Sequence, residues 1–318
     1  MLTPASGPGI AAAFGLGGSA ALSGPVARGE QGQVWRLETD RGVFAVKDPF
    51  VEVAAEEAQA DATYQDVVHR AEVPMPGVVR SADGRVLLEV DGAPVRVYEW
   101  VDVLPRDRHL DPAAVGRVIA RVHRVAAPTH GPMSSWYVDP VGAERWSSVV
   151  ARLRNAGAPF AADLDALVPE IIAVEELLEP VDATQWCHLD LWADNVVPTT
   201  TGDVVVLDWE NAGPGTPSQE LACVLFDFGL GDPRRMCDLY AAYADAGGPG
   251  RITRPGDCTV LVAQLGHIAV LGCERWLGST TEVERVHTEA WVREYVDEPV
   301  TLAVVDAILG AVSSRRRP

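Results

Sequence analysis

Lysine is almost absent from this chain of 318 residues: Lys47 is the only one, and arginine supplies the rest of the 26 basic residues. Acidic residues number 45, so the formal net charge is −19 at pH 7. A nucleic-acid-binding surface needs a basic patch to meet the phosphates. The one basic cluster, Arg315 to Arg317, lies at the C-terminal end and is interpreted as a solvated tail. We therefore expect no nucleic-acid partner, whereas an acidic surface is compatible with cationic small substrates.

Cysteine is scarce and scattered. The five residues are Cys187, Cys223, Cys237, Cys258 and Cys273, and no C-x-x-C pair occurs. This pattern favours neither a zinc ribbon nor a disulfide framework. We interpret the cysteines as small buried residues in a reducing compartment. Cys187 borders the main motif and would be sensitive to oxidants if it were exposed.

Long apolar runs are also lacking. No stretch approaches the roughly 18–20 uninterrupted apolar residues of a membrane helix, and Met1 to Gly24 has no basic leading segment typical of a signal peptide. We therefore expect a cytoplasmic protein with no membrane partner. Hydrophobic residues make up 47% and charged residues 22% of the chain. This composition is typical of a folded protein, and the length allows two modest lobes.

The first hundred residues predict a small sheet with one helix. Strands are expected at Gln33 to Glu38 and Val43 to Lys47, joined by a turn at Asp40 to Gly42. A helix is expected over Glu52 to Arg70, which is rich in Ala, Glu and Gln. Two further strands, Arg85 to Val90 and Val95 to Val101, should flank the turn at Asp91-Gly92.

Helices dominate after Asp102. Apolar residues recur with helical spacing over Pro112 to Val125, and Asp111 is the expected N-cap. The other expected elements are a helix at Leu164 to Leu178, short strands at Gln185 to Cys187, Val196 to Val197 and Val204 to Leu207, and helices near 218–229, 233–246, 256–276, 281–296 and 299–313. The predicted fold class is α+β, with a β-rich N-terminal lobe at 1–100 and a mainly helical C-terminal lobe at 101–318.

The most informative stretch is an H-x-D-x-x-x-x-N pattern, His188-Leu189-Asp190-Leu191-Trp192-Ala193-Asp194-Asn195. Phosphoryl transfer needs a carboxylate that accepts or orients the proton of the attacking hydroxyl, and hard oxygen ligands that hold Mg²⁺ on the phosphates. Asp190 is spaced to be this base. His188 is interpreted as a scaffold that bonds the loop backbone.

A second acid follows at the end of an apolar strand, in Val204-Val205-Val206-Leu207-Asp208-Trp209-Glu210. A hairpin over residues 196 to 207 would make Asn195 and Asp208 neighbours, because the two ends of a hairpin meet. Asn195 offers an amide oxygen to a metal ion and Asp208 a carboxylate oxygen.

These two motifs resemble those of the aminoglycoside phosphotransferase and choline kinase family, a branch of the protein-kinase-like fold. The resemblance implies ATP or GTP and Mg²⁺ as cofactors, Asp190 as catalytic base, Asn195 and Asp208 as metal ligands, and a structural His188. A protein kinase is disfavoured because the chain has no His-Arg-Asp, and Asp208-Trp209-Glu210 stands in place of Asp-Phe-Gly.

By the same resemblance the first lobe should hold the nucleotide. Phe44-Ala45-Val46-Lys47 is similar to the strand whose lysine contacts the α- and β-phosphates. The expected acidic partner of Lys47 is Glu57, with Glu56 and Asp61 as alternatives. Gly29 and Gly32 occupy the place of the loop that covers the phosphates. Val97 to Val101 would form the hinge that bonds adenine, with Glu99 and Val101 as its candidate residues.

The acceptor is expected to be a small molecule with a hydroxyl group, such as a cationic antibiotic, choline, an amino sugar or a hydroxy amino acid. Candidates for recognising ammonium groups or sugars are Asp227, Glu274, Glu282, Glu289, Trp276 and Trp291. Two other functions stay open: a nucleotide-binding pseudo-kinase without turnover, and a metal-dependent hydrolase with His188, Asp190 and Asp208 as ligands. The chain is expected to be a monomer or a homodimer.

Overall fold

The computed structural model of the chain describes residues 1–29, 32–129 and 132–314. The strands are β1 (Ala20–Arg28), β2 (Gly32–Thr39), β3 (Gly42–Pro49), β4 (Val78–Val79), β5 (Leu88–Val90), β6 (Ala93–Glu99), β7 (Gln185–Cys187), β8 (Val196–Pro198), β9 (Val204–Val206) and β10 (Gly213–Gly215). The helices are α1 (Gly7–Phe14), α2 (Ala55–Arg70), α3 (Pro112–His123), α4 (Ser135–Val138), α5 (Ala143–Ala156), α6 (Ala161–Glu175), α7 (Pro217–Gly229), α8 (Pro233–Asp245), α9 (Thr259–Gly278), α10 (Glu282–Asp297) and α11 (Leu302–Ser314).

The chain divides into two compact units. Unit 1 comprises Met1–Asp107 and Ala193–Ala212, and unit 2 comprises Arg108–Trp192 and the chain from Gly213 onward. The sequence predicts a single boundary at residue 100. The observed division differs, because unit 1 also includes the segment Ala193–Ala212. That segment groups with unit 1 through backbone hydrogen bonds from Val206 N to Pro74 O (2.9 Å) and from Leu104 N to Pro198 O (2.8 Å).

Unit 1 is built on an antiparallel sheet with strand order β1-β2-β3-β6-β4, and β5 also pairs with β6. The predicted hairpin is confirmed: β2 and β3 pair in register from Thr39 opposite Gly42 to Gly32 opposite Pro49. Gln33, Trp35 and Leu37 alternate towards the buried side of β2, as the period of two along a strand requires. The predicted turn at Asp91-Gly92 is also present, and both residues have positive φ (52° and 75°), which a tight hairpin turn of this kind needs.

The second hairpin of unit 1 is also confirmed. Strands β8 and β9 pair antiparallel with Val196 opposite Val206. Leu207 N then donates to Asn195 O at 2.8 Å, so the hairpin continues to the residues that precede Asp208.

Unit 2 is mainly helical, and one of its hydrophobic clusters lies between α5, α6, α9 and α10. Trp146, Phe160, Leu164 and Cys273 are fully buried there. The predicted helix after Asp111 is confirmed as α3, and the Asp111 carboxylate accepts from the amides of Ala113 (3.1 Å) and Ala114 (3.2 Å). Helices α3 and α8 touch through Gly116, where a Cβ atom would lie 2.3 Å from the carbonyl oxygen of Leu239.

One helical stretch among the described residues, Pro255–Gly278, is long and apolar enough to cross a membrane by length and composition, with a mean hydropathy of 1.4. Its apolar window is 72% buried inside the protein. This is the property of a core helix, and α9 indeed contributes Ala269, Cys273 and Trp276 to the core of unit 2.

Candidate active site

The loop that carries Asp190 is fixed by buried contacts within unit 2. Leu189 has a left-handed backbone (φ 63°), a conformation that costs a residue with a branched side chain free energy. Its N–H donates to Glu220 Oε1, and its carbonyl accepts from Gln264 Nε2 at 3.1 Å. These two contacts satisfy the peptide groups on both sides of Leu189 and so aim the next residue, Asp190.

His188 is completely buried. Its Nδ1 accepts a hydrogen bond from Asp190 N at 3.2 Å. This geometry agrees with the scaffold interpretation of His188, which stays a prediction.

Glu220 belongs to a buried network that sequence reasoning missed. Its Oε2 lies 2.9 Å from His123 Nε2, and His123 Nδ1 lies 2.9 Å from the Tyr243 hydroxyl. The amide of Gly250 donates to that hydroxyl at 2.7 Å. Since the Tyr243 oxygen is already an acceptor, its O–H is assigned as the donor to His123 Nδ1, and His123 Nε2–H then donates to Glu220. The signal in the sequence is Glu220 itself, an acid within the apolar run of α7, because a buried carboxylate needs partners.

Lys47 is held by two acids within unit 1. Its Nζ donates to Asp208 Oδ1 at 2.7 Å and also to Glu210 Oε2. Burial disfavours the charged ammonium, but the carboxylates of Asp208 and Glu210 outweigh it and raise the pKa of Lys47. Lys47 is therefore a cation placed against the acid that the sequence singles out as a metal ligand.

A second cation, Arg96, lies beside this pair and was not predicted. Its side chain is 3% exposed, and its Nη1 is 3.4 Å from Glu210 Oε1 and 3.5 Å from Asp61 Oδ2. Tyr98 OH also donates to Glu210 Oε1 at 2.9 Å. Burial raises the pKa of Asp61 to about 6 although Arg96 opposes this rise. The signal is again visible in the sequence, since an arginine inside the apolar strand β6 has to find acidic partners.

Glu57 does not pair with Lys47, contrary to the expectation. It lies in the first turn of α2 and is exposed, and it forms no ion pair within the described part of the chain. The acid of α2 that points to the sheet is Asp61, one turn later, and it contacts Arg96 instead of Lys47. An acid in the first turn is stabilised there by the helix dipole without a cationic partner, which accounts for Glu57 at the surface.

The metal-ligand candidates fit a magnesium ion by the chemistry of their donors. Asp208 has a left-handed backbone (φ 56°, ψ 66°) and a carboxylate that is 41% exposed, and Asn195 sits at the adjacent hairpin end. Magnesium in kinases takes one or two protein oxygens, and phosphates and waters complete its shell. No group of three or more His, Cys, Asp or Glu side chains in the described ranges could hold a metal.

The remaining nucleotide candidates lie at or next to the ends of strands β1, β2 and β6. Gly29 N donates to Gly32 O at 2.9 Å, between the end of β1 and the start of β2. Glu30 and Gln31 lie outside the described residues. Glu99 ends β6, where its backbone N–H donates to Gly77 O at 2.8 Å and its carboxylate accepts from Gly77 N at 3.2 Å. Val101 follows β6 and is half-buried.

The acids expected to meet a cationic acceptor are mostly occupied. Asp227 is 4% exposed and pairs with Arg108 at 2.8 Å, and Glu274 pairs with Arg145 and Arg152 at 3.1 and 2.7 Å. Glu289 lies 3.8 Å from Arg293. Trp276 is buried in the core of unit 2. This leaves Glu282, which is exposed, and Trp291, which stacks under Arg275. The tail Arg315 to Arg317 lies outside the described residues.

Four of the five cysteines are buried as expected, and Cys237 is half-buried. Cys187 is 1% exposed, and burial raises the pKa of its thiol well above the usual value. It is therefore not placed for ready oxidation.

Unit 1 thus holds a lysine bound to an acid at the end of a hairpin, and unit 2 holds an aspartate loop that is fixed by Glu220 and Gln264. Residues 24–254 match the phosphotransferase enzyme family, and the chain belongs to that family. This result confirms the family and the fold class predicted from the two motifs.

Solved structures agree on the fold. The aminoglycoside phosphotransferase from Alicyclobacillus acidocaldarius superposes with a TM-score of 0.64 at 15% identity, over 99% of this chain and 96% of that one. Spectinomycin phosphotransferase, solved with ADP and spectinomycin, gives 0.61 at 13% identity over 92% of both chains. Choline kinase from Streptococcus pneumoniae gives 0.53 at 14% identity, over 88% of this chain and 93% of that one.

Homoserine kinase from Pseudomonas aeruginosa is a curated relative that is 29% identical over 196 residues. The alignment spans 57% of this chain and 58% of that kinase. The chain thus matches somewhat more than half the length of this relative.

Proposed function

We propose that this protein is a Mg²⁺-dependent small-molecule kinase that transfers the γ-phosphate of ATP or GTP to a hydroxyl group. The observation that carries the proposal is the 2.7 Å contact between Lys47 Nζ and Asp208 Oδ1. The only lysine of the chain is thereby joined to the carboxylate that follows β9, as a phosphate-binding lysine and a metal-binding acid would be.

In the proposed site, Lys47 contacts the α- and β-phosphates, and Asn195 and Asp208 hold the magnesium ion. The ion would neutralise charge on the phosphate oxygens. Since Lys47 also bonds Asp208 and Glu210, the phosphates share or replace these carboxylates as its partners. Arg96 remains beside Glu210, so that carboxylate still has a cationic partner.

Asp190 acts as the base. The acceptor oxygen attacks the γ-phosphorus, the bond from that phosphorus to the bridging oxygen breaks, and the nucleoside diphosphate leaves. The hydroxyl proton passes to the Asp190 carboxylate. Glu220 and Gln264 hold Leu189 on both sides and so keep the base oriented, which is how a positioned group gains rate.

The acceptor is a small hydroxyl compound. The names of the similar proteins support this breadth, since they include homoserine kinase, choline kinase and spectinomycin phosphotransferase. The expected preference for a cation loses support, because Asp227 and Glu274 already pair with arginines.

The first test is an ADP- or GDP-release assay with Mg²⁺ across aminoglycosides, choline, amino sugars, homoserine and other hydroxy compounds. Asp190→Asn should slow acceptor-dependent release by about 10²–10⁴-fold and leave nucleotide affinity unchanged. Asp182→Asn is the matched control, since Asp182 is exposed and precedes β7, and it should behave like the wild type.

Near-normal turnover by Asp190→Asn would refute Asp190 as the base. If both variants bind nucleotide equally and no acceptor causes release of ADP or GDP, the pseudo-kinase alternative would be supported instead. Metal binding without nucleotide affinity would support a hydrolase.

A further inference from the structure

Two stacked aromatic rings border a cavity of about 360 Å³ in unit 2. The rings of Trp136 (α4) and His267 (α9) have centroids 5.1 Å apart and planes 23° from parallel. The cavity is lined further by Val141, Arg145, Leu271 and Glu274. We call it the Trp136 cavity. Flat and aliphatic surfaces of this kind favour a flat apolar ring, which gains from stacking and from burial.

The charges of the Trp136 cavity do not favour a cation. Its one carboxylate, Glu274, is bound by two arginines, Arg145 at 3.1 Å and Arg152 at 2.7 Å. His267 Nε2 lies 3.0 Å from the carbonyl oxygen of Asp139, so this nitrogen carries a proton and donates to that oxygen. The one carboxylate among the lining residues is therefore already paired with cations, and Arg145 is a cation of the lining itself. Arg145 is 56% exposed and has donors to spare for a carboxylate.

The cavity adjoins the Asp190 loop from two sides. On α9, His267 follows Gln264 by three residues, about 4.5 Å along the helix axis, and Gln264 Nε2 bonds Leu189 O. On α4, Trp136 precedes Tyr137. Burial makes the largest contribution to the raised pKa of the Tyr137 phenol, and the charge of the nearby Asp190 carboxylate raises it further. A molecule in the cavity would therefore lie within reach of the proposed base.

We propose that the Trp136 cavity binds the acceptor through a flat apolar ring and selects neutral or carboxylate-bearing hydroxy compounds over polycations. This inference rests on the phosphotransferase function proposed above. It gives the acceptor a chemical class that the family does not determine.

The test uses three probes with the same ring and the same hydroxyl: para-hydroxymethyl benzoate, its benzamide and its benzylamine. Kanamycin serves as the polycation. Affinity is measured on the full chain by ligand-observed NMR titration, and acceptor activity by ADP release with Mg²⁺ and ATP. Benzoate and benzamide should bind at least about 3-fold more tightly than the benzylamine, and kanamycin should not compete with them.

Trp136→Leu removes the stacking face, whereas Trp136→Phe keeps a flat ring. The leucine variant should weaken binding of benzoate and benzamide by about 3- to 10-fold, and the phenylalanine variant should restore most of it. Arg145→Gln should weaken the benzoate selectively and leave the benzamide unchanged. Arg154→Gln is its matched control on α5, since Arg154 pairs with Asp165 outside the cavity, and it should change neither. Melting temperatures verify that each variant is folded, and the arginine pair tests the proposal even if Trp136→Leu is unstable.

Tighter binding of the benzylamine, or Asp190-dependent release with kanamycin that Trp136→Leu does not alter, would overturn this inference and leave the kinase proposal intact. Absence of binding by all three ring probes would overturn it as well. Ring probes that bind and respond to Trp136→Leu, with no release for any acceptor, would support the ligand class and count against the kinase.

Discussion

At the residue scale, Lys47 and Arg96 show how a lysine and an arginine differ as partners of acids in the same sheet. Its ammonium is compact and reaches Asp208 and Glu210 together, whereas a guanidinium has a wide planar fork that fits a different geometry. Arg96 lies next to it in the paired register of β3 and β6, where Lys47 is opposite Arg96. The sheet thus places Lys47 against Asp208 and Glu210, and Arg96 against Glu210 and Asp61.

Lys47→Met should reduce nucleotide affinity by about 10- to 100-fold, because it removes one charge-assisted hydrogen bond to the phosphates. Lys47→Arg should restore little of this loss. Calorimetric titration with Mg²⁺ and nucleotide measures both. Arg41→Met is the control, since Arg41 lies in the β2–β3 turn and bonds Gly15 O. Equal affinities in the wild type and Lys47→Met would contradict the assignment of Lys47.

Asp61 predicts a defined dependence of stability on pH. Its folded pKa of about 6 lies above the ordinary value of 3.8, so the folded state holds its proton more tightly than the unfolded state. The stabilisation from this proton is complete below about pH 4 and is lost as the pH rises through 6. Asp61→Asn cannot titrate, so its free energy of unfolding relative to wild type should rise between pH 4 and 7.5, by at most about 3 kcal/mol.

Urea unfolding at both pH values measures this difference. Asp61→Ala also lacks the proton, and it should show the same trend at a lower absolute stability. Parallel curves for wild type and Asp61→Asn would show that the carboxyl is not perturbed.

At the element scale, the confirmed predictions came from patterns with two independent signals. Helix α3 combined an apolar face with an N-cap at Asp111, and the β2–β3 hairpin combined alternation with a turn. Strand β1 was missed because only Leu22 of its residues is buried, so an alternating signal is absent. Helix α5 was missed although its buried residues Trp146, Val149, Val150 and Leu153 follow helical spacing and could have revealed it.

Helix α7 should control turnover through Glu220, which bonds Leu189 N and His123. Glu220→Ala leaves both groups unsatisfied and should cost about 2–4 kcal/mol of stability. It should also lower kcat while nucleotide affinity stays unchanged. Glu220→Gln keeps the acceptor for Leu189 N and should restore much of kcat, because His123 can change tautomer to face the amide.

Steady-state kinetics and calorimetry on the same preparations separate these effects. Glu170→Ala on α6 is the control, as Glu170 is exposed. A purely structural role would lower stability in Glu220→Ala and leave kcat of the folded fraction unchanged, which would contradict a positioning role.

At the scale of the whole molecule, the family and fold could be predicted because the decisive residues lie close in sequence, between His188 and Glu210. The supporting network could not, since its contacts are far apart along the chain. His123 lies 97 positions from Glu220 and 120 from Tyr243, and no local pattern specifies such pairs. The same holds for Arg96 and Glu210: each is conspicuous alone, but only the fold identifies its partner.

The five cysteines give a test of the fold as a whole. Four of them are at most 3% exposed, namely Cys187, Cys223, Cys258 and Cys273, and burial raises the pKa of each thiol, to about 12 in Cys258 and Cys273. Cys237 is half-buried. A thiol-reactive disulfide reagent should therefore modify at most Cys237 quickly in the native protein and all five thiols in urea. Cys237→Ser should abolish the native reaction, and rapid modification of Cys187, located by peptide mapping, would show that the strand before the Asp190 loop opens far more readily than its buried contacts allow.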